Sequence, residues 1–169
     1  MGRFVVTGWC DLDAQARRAW IGLSAESDAY ASPFYDLAYL DALAGVRPDL
    51  EVLCVREGDR TVAALPFQRD GFGGLIPAGG PLSDWNGFVA EPGVRIDVEA
   101  ALEAAQAHAV RISAATPGDP ALDRRGWRDD VSHLIDLSAG PEAWLAERAR
   151  TQAKAFRNLR ARRRKALER

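Results

Sequence analysis

The sequence is poor in metal-binding and redox-active side chains: its 169 residues include only two cysteines and two histidines. So few ligands do not favour a structural zinc site, and we expect no bound metal. Cys54 lies in the apolar run LEVLCVRE, which predicts a buried side chain without chemistry. No apolar run approaches the roughly 20 residues of a transmembrane helix, and the amino-terminal residues do not resemble a signal peptide. We therefore expect a cytoplasmic protein.

The usual catalytic signatures are also missing from the sequence. There is no G-x-S-x-G, H-E-x-x-H, Walker or Rossmann motif. His108 and His133 are predicted on different elements, and neither has a serine or cysteine partner recognisable from the sequence. We therefore assign no catalytic residue.

A net charge of −2 conceals a strong asymmetry between the body and the end of the chain. From Glu147 to Arg169 there are ten Lys/Arg and two Glu, whereas the remaining 146 residues carry 12 basic and 22 acidic groups. Arg157, Arg160 and Arg164 lie on one face of the helix that we predict here. This helix either packs on a further domain, or contacts anionic ligands or membrane headgroups, or binds nucleic acid. The acidic body and the lack of aromatic residues in 157–165 disfavour nucleic acid.

Residue patterns predict an α/β fold with a mixed, largely antiparallel sheet flanked by helices, followed by a long basic helix. Periodicity, caps and turn residues place the predicted elements as strand 3–9, a helix from Asp11 or Asp13 to 24, helix 32–45, hairpin strands 50–57 and 60–69, strand 75–80, short strand 88–90, helix 97–109, buried strand 109–116, short helix within 117–126, strand 127–137 and a helix from Pro141 onward. The first helix has Asp11 or Asp13 as its predicted N-cap, and Asp97 is the predicted N-cap of helix 97–109. Gly45 is the predicted C-cap of the second helix.

Residues 68–73, QRDGFG, fit the Q/R-x-x-G-x-G pattern of the pyrophosphate loop in GNAT acyltransferases. In that loop a strand is followed at once by a helix, whose free N–H groups hold the anion. Here Pro77 and Pro81, together with four glycines at 73, 74, 79 and 80, exclude a helix. We therefore predict a hairpin turn and no cofactor-binding residue in this chain.

Four segments nevertheless resemble one branch of the GNAT superfamily: SPFYDLAYLDAL, RTVAALPF, IPAGGPLSDWNGF, and the stretch from HLIDL to the basic end. This branch comprises two-domain bacterial acyltransferases linked to cellulose and exopolysaccharide biosynthesis, which are related to Fem-type aminoacyltransferases. The predicted element order also follows the GNAT order of strand, two helices, three antiparallel strands, helix, strand, short helix and strand.

That resemblance implies a two-domain enzyme. Residues 1–138 would form a GNAT-like amino-terminal domain, and 139–169 would form a basic helix that leads into a second GNAT-like domain. The second domain would bind acyl-CoA. This chain would then be the acceptor-side half of an acyl-CoA-dependent N-acyltransferase for a polysaccharide or cell-envelope precursor, and it would be inactive alone.

Candidate substrate-binding residues follow from the same segments. Asp84 is suited to accept a hydrogen bond from an amine or sugar hydroxyl, Trp85 offers a stacking face, and Asn86 completes the loop. The resemblance places an Asp–aromatic pair at this point. The alternative is a capped turn with Trp85 in the core. Phe34 and Tyr35 either edge a pocket or serve only helix packing.

Two other functions remain open from the sequence alone. One is a non-enzymatic module that binds a polyanion through Arg157, Arg160 and Arg164. The other is a complete small acetyltransferase that uses residues 68–73 as its cofactor loop.

Overall fold

The computed structural model describes residues 2–116, 119, 121 and 135–167. The chain divides into two compact units, Met1–Asp129 and Asp130–Arg169. The predicted short helix within 117–126 and most of the predicted strand 127–137, including His133, lie outside the described residues.

The first unit is built on a mixed, largely antiparallel sheet, as predicted. Its strands follow the order β1-β2-β3-β4-β6, with β5 paired to β3, and of the described pairs between these strands β4–β6 alone is parallel. The elements are β1 Arg3–Gly8, α1 Ala14–Ala25, α2 Leu37–Val46, β2 Glu51–Glu57, β3 Arg60–Arg69, β4 Gly74–Pro77, β5 Val89–Ala90, α3 Val98–Ala104 and β6 Ala109–Val110, with short 3-10 helices at Trp9–Asp11, Asp28–Tyr30, Pro33–Tyr35 and Gly80–Leu82.

Helices cover both faces of this sheet. The alternation of β2 sends Leu53 and Val55 into a buried cluster with α3, and sends Val52 and Cys54 into a second cluster with α1 and α2. Cys54 is therefore buried, as predicted, and burial raises the pKa of its thiol to about 11. This thiol stays protonated and unreactive at neutral pH.

The second predicted helix is split in the structure. Ser32 caps the 3-10 helix Pro33–Tyr35, and Asp36 then adopts an extended conformation and caps α2. The break leaves the Tyr35 carbonyl free to accept a hydrogen bond from Trp20 Nε1 at 2.8 Å. The predicted C-cap at Gly45 is wrong, because α2 continues through Val46.

Two further boundaries differ from the predictions in the 97–116 segment. Asp97 caps α3 as predicted, but α3 ends at Ala104 because Gln106 adopts a φ of +51°. Only Ala109 and Val110 of the predicted strand 109–116 pair as β6, and most of that segment is exposed rather than buried. The apolar run therefore lies along an edge of the described sheet.

In residues 135–167 of the second unit the structure has two helices where the sequence predicts one. They are α4 Pro141–Thr151 and α5 Ala153–Leu167, and Gln152 separates them with a φ of −127° and a ψ of 44°. Among the described residues, no helix combines the length and apolar character that crossing a membrane requires.

Candidate functional site

β4 and β5 both pair with β3, and the chain between them contains the predicted site residues Asp84, Trp85 and Asn86. Gln68 of β3 pairs with Ile76 of β4, and Ala64, four residues earlier on β3, pairs with Val89 of β5. An uninterrupted antiparallel strand would bring residue 80 opposite Ala64, so the chain carries nine extra residues between β4 and β5. We call residues 78–88 the excursion.

A buried glutamine fixes the first residues of the excursion. Gln68 accepts a hydrogen bond from the Gly79 N–H at 3.1 Å through Oε1 and donates one to Asp49 Oδ2 at 3.0 Å through Nε2. The hydrogen bond that Asp49 accepts from the Arg47 guanidinium is the main reason that the pKa of this carboxyl lies below its usual range. A buried amide with both ends engaged holds its partner backbone in one place.

A second contact fixes the middle of the excursion to α2. The buried Ser83 hydroxyl donates to the Ala78 carbonyl at 2.6 Å and lies 2.8 Å from Tyr39 Oη. Gly79 adopts a φ of +79°, and a Cβ there would lie 2.6 Å from Tyr39 Oη. Glycine is therefore required at this close approach.

Asn86 ties the end of the excursion to the segment after β6. Its Nδ2 donates to the Ser83 carbonyl at 3.1 Å and to the Ser113 carbonyl at 2.9 Å. Its backbone pairs with residues 114 and 116 as an isolated parallel bridge to Ala115. Both amide hydrogens of this predicted substrate-binding residue are therefore engaged with the protein backbone.

Tyr35 supports the pairing of Asn86 with residues 114 and 116 through Thr116. Its buried hydroxyl bonds to Thr116 Oγ1, and that oxygen also lies 3.3 Å from the Asn86 carbonyl, to which it donates. Burial raises the pKa of the Tyr35 phenol, which stays neutral in the physiological range. Phe34 is half-buried, and its ring packs edge-to-face on Tyr39 at 5.2 Å between centroids. Tyr35 thus supports the excursion through Thr116, and Phe34 contacts Tyr39, whose hydroxyl bonds to Ser83.

A residue that sequence reasoning missed, Asp119, closes the excursion. This carboxylate is 2% exposed; Oδ2 accepts from the Phe88 N–H at 2.7 Å and Oδ1 accepts from the Ala121 N–H at 2.9 Å. Gly87 adopts a φ of +135° beside it. The signal available in the sequence was the turn-forming string PGDP, in which Asp119 is suited to bind the N–H two residues later.

Few side chains of the excursion are exposed to solvent. Leu82 is 77% exposed, Asp84 is exposed, and Trp85 is half-buried against the core cluster of α1 and α2. Asp84 and Trp85 are thus sequence neighbours on a segment that buried polar side chains hold in place. A small ligand site needs such preorganised groups.

The segment that matches a pyrophosphate loop is a hairpin turn, as predicted. β4 begins directly at Gly74, and Asp70 Oδ1 accepts hydrogen bonds from the Phe72 N–H at 2.9 Å and the Gly74 N–H at 2.8 Å. These backbone bonds, that of Gly74 first, lower the pKa of Asp70. A carboxylate therefore already occupies amides that a phosphate would need, and it would repel one.

The remaining candidates lie elsewhere. Arg157, Arg160 and Arg164 are exposed on α5 in the second unit. His108 lies in the turn before β6, beside Gly73. In the part of the chain that the structure describes, no group of His, Cys, Asp or Glu side chains is arranged to hold a metal ion.

Known proteins offer no further guide to the site. Comparison of the chain with protein-family models, with curated proteins and with solved structures gave no match. The likeness to GNAT acyltransferases therefore stays a prediction, and the excursion itself has to support any functional proposal.

Proposed function

We propose that this chain is the acceptor-binding part of an acyl-CoA-dependent N-acyltransferase that acts on a polysaccharide or cell-envelope precursor. The observation that carries the proposal is the excursion, which presents Asp84 and Trp85 from an interior strand. A carboxylate suits the ammonium and hydroxyl groups of an amino sugar, and an indole face suits its ring. Because Gln68, Ser83 and Asn86 fix the excursion, little conformational entropy would be lost on binding.

The order of elements supports a GNAT-like domain. β1, α1, α2, the antiparallel β2–β4, the short β5, α3 and β6 follow one another along the chain. Apart from β5, this is the order expected for that superfamily. β6 lies parallel to β4 after the α3 crossover. The link to cellulose and exopolysaccharide synthesis is part of the proposal and comes from the resemblance of the quoted segments.

Acyl-CoA is assigned to a second GNAT-like domain rather than to this chain. The support is the hairpin at 68–74, whose amides are bound by Asp70. In the reaction, the acceptor nitrogen forms a bond to the thioester carbon, the C–S bond breaks, and the proton lost by the amine balances the proton that the CoA thiolate takes up. This chain would contribute orientation of the acceptor, which is a large part of catalysis by proximity.

Calorimetric titration with glucosamine tests the acceptor site, with N-acetylglucosamine as the ligand that lacks the free amine. We expect glucosamine to bind more tightly than N-acetylglucosamine, and Asp84→Asn to weaken glucosamine binding about tenfold because a charged hydrogen bond is lost. Asp59→Asn, the same change in the exposed β2–β3 turn, is the matched control and should bind like the wild type.

Two results would count against the acceptor site. One is equal affinity for the two sugars. The other is unchanged glucosamine binding by Asp84→Asn in a protein whose circular dichroism matches that of the wild type.

A further inference from the structure

Helix α5 has an extreme charge composition. Over the 15 residues Ala153–Leu167 it contains seven Lys/Arg and no Asp or Glu; the cations are Lys154, Arg157, Arg160, Arg162, Arg163, Arg164 and Lys165. None of them forms an ion pair with any residue that the structure describes, whereas Arg150 of α4 pairs with Glu147 at 2.9 Å. A helix with this much uncompensated charge is unfavourable alone, and an anionic partner would stabilise it.

The helix also has an apolar side that is largely exposed in the part of the chain that the structure describes. Arg157, Arg160 and Arg164 are spaced by three and four residues, so they share one face. Phe156, Leu159 and Leu167 fall on an adjacent face, where Leu159 is 60% and Leu167 is 78% exposed. Arg163 falls on that apolar side, and its long aliphatic stem can lie along such a surface while the guanidinium reaches outward.

These two features together indicate one kind of occupant. A second copy of α5 would repel the first, because no acidic residue on either helix offsets the cations. Nucleic acid would engage the arginines but would leave the leucines unused, and 157–165 contains no aromatic residue for base stacking. An anionic lipid surface uses both, since its phosphates pair with arginine and its acyl boundary accepts leucine and phenylalanine.

We propose that α5 binds the surface of a membrane rich in anionic phospholipid and lies parallel to it. The proposal concerns the second unit alone and stands or falls independently of the acceptor site. It predicts an association that is reversible and sensitive to salt.

Sedimentation of the full chain with vesicles tests this proposal. We expect binding to vesicles of phosphatidylcholine and phosphatidylserine at 3:1, no binding to phosphatidylcholine alone, and loss of binding at high salt. The triple variant Arg157→Glu, Arg160→Glu and Arg164→Glu should bind at least about 100-fold more weakly. The variant Arg3→Glu, Arg18→Glu and Arg95→Glu makes the same change in net charge at exposed positions of the first unit, and it should keep most of the binding.

A second variant separates lipid from nucleic acid. Leu159→Ser with Leu167→Ser should reduce vesicle binding about tenfold and leave binding to a DNA duplex unchanged. The proposal is overturned if anionic vesicles are not bound at low salt, or if both triple variants lose binding equally. It is also overturned if the serine variant binds vesicles like the wild type, which would reassign α5 to a purely electrostatic partner.

Discussion

Replacing Gly87 by alanine is expected to lower the free energy of unfolding by about 3–5 kcal/mol. The φ of +135° at this position is strained for any residue with a Cβ, and a Cβ would lie 2.3 Å from Asp119 Oδ2. Asp119 cannot move aside without loss, because its two oxygens accept buried hydrogen bonds from Phe88 and Ala121. Urea unfolding followed by tryptophan fluorescence measures the change.

Gly45→Ala is the matched control for that experiment. Gly45 is exposed within α2, and a Cβ there would meet no heavy atom within 4 Å. Alanine should therefore raise the free energy of unfolding by roughly 0.5–1 kcal/mol, because it favours the helix. A Gly87→Ala protein as stable as the wild type would show that the excursion is not held by Asp119 as described.

Asn86→Asp is expected to cost about 3 kcal/mol at neutral pH, although the two side chains have nearly the same shape. The change removes the donor to the Ser83 and Ser113 carbonyls and places a carboxylate against them. Burial beside carbonyl oxygens raises the pKa of the new aspartate in the folded protein. The folded state then binds a proton more readily than the unfolded chain, so the deficit is full above the folded pKa and shrinks as the pH falls toward about 4.

Stability curves at several pH values, each compared with the wild type, test this result. Asn158→Asp makes the same change at an exposed position of α5 and should stay within about 0.5 kcal/mol of the wild type. A deficit for Asn86→Asp that does not change with pH would mean that the new carboxyl does not face the two carbonyls.

The elements that the sequence predicts well are those with local causes. Asp97 caps α3 as predicted, and of the two predicted caps of the first helix, Asp11 and Asp13, it is Asp13 that caps α1. Each carboxylate binds a free N–H group three residues away. The β2–β3 hairpin follows from apolar runs on either side of Gly58 and Asp59, and Gly58 adopts a positive φ of 61° in the turn. The hairpin at 68–74 follows from the glycines and prolines that exclude a helix.

Only some features of the candidate site can be predicted from the sequence. The loop character of residues 78–88 and the exposure of Asp84 follow from composition. The position of the segment in the sheet is set by strand pairing on either side of it, of Ile76 with Gln68 and of Val89 with Ala64. The second of these pairs joins residues that are far apart in sequence. Other long-range contacts also hold the segment: Asn86 bonds to residues 113–116, and Asp119 bonds to Phe88. A local sequence pattern cannot predict such contacts.

The central claim is that the acceptor is bound by the excursion and that the 68–74 hairpin binds no coenzyme A. Amide chemical-shift mapping of the ¹⁵N-labelled full chain tests it most directly. We predict that glucosamine shifts amides between residues 79 and 86, and that coenzyme A leaves the amides of Phe72 and Gly74 unmoved. Saturable coenzyme A shifts at Phe72 and Gly74, with none in the excursion on adding glucosamine, would contradict the account.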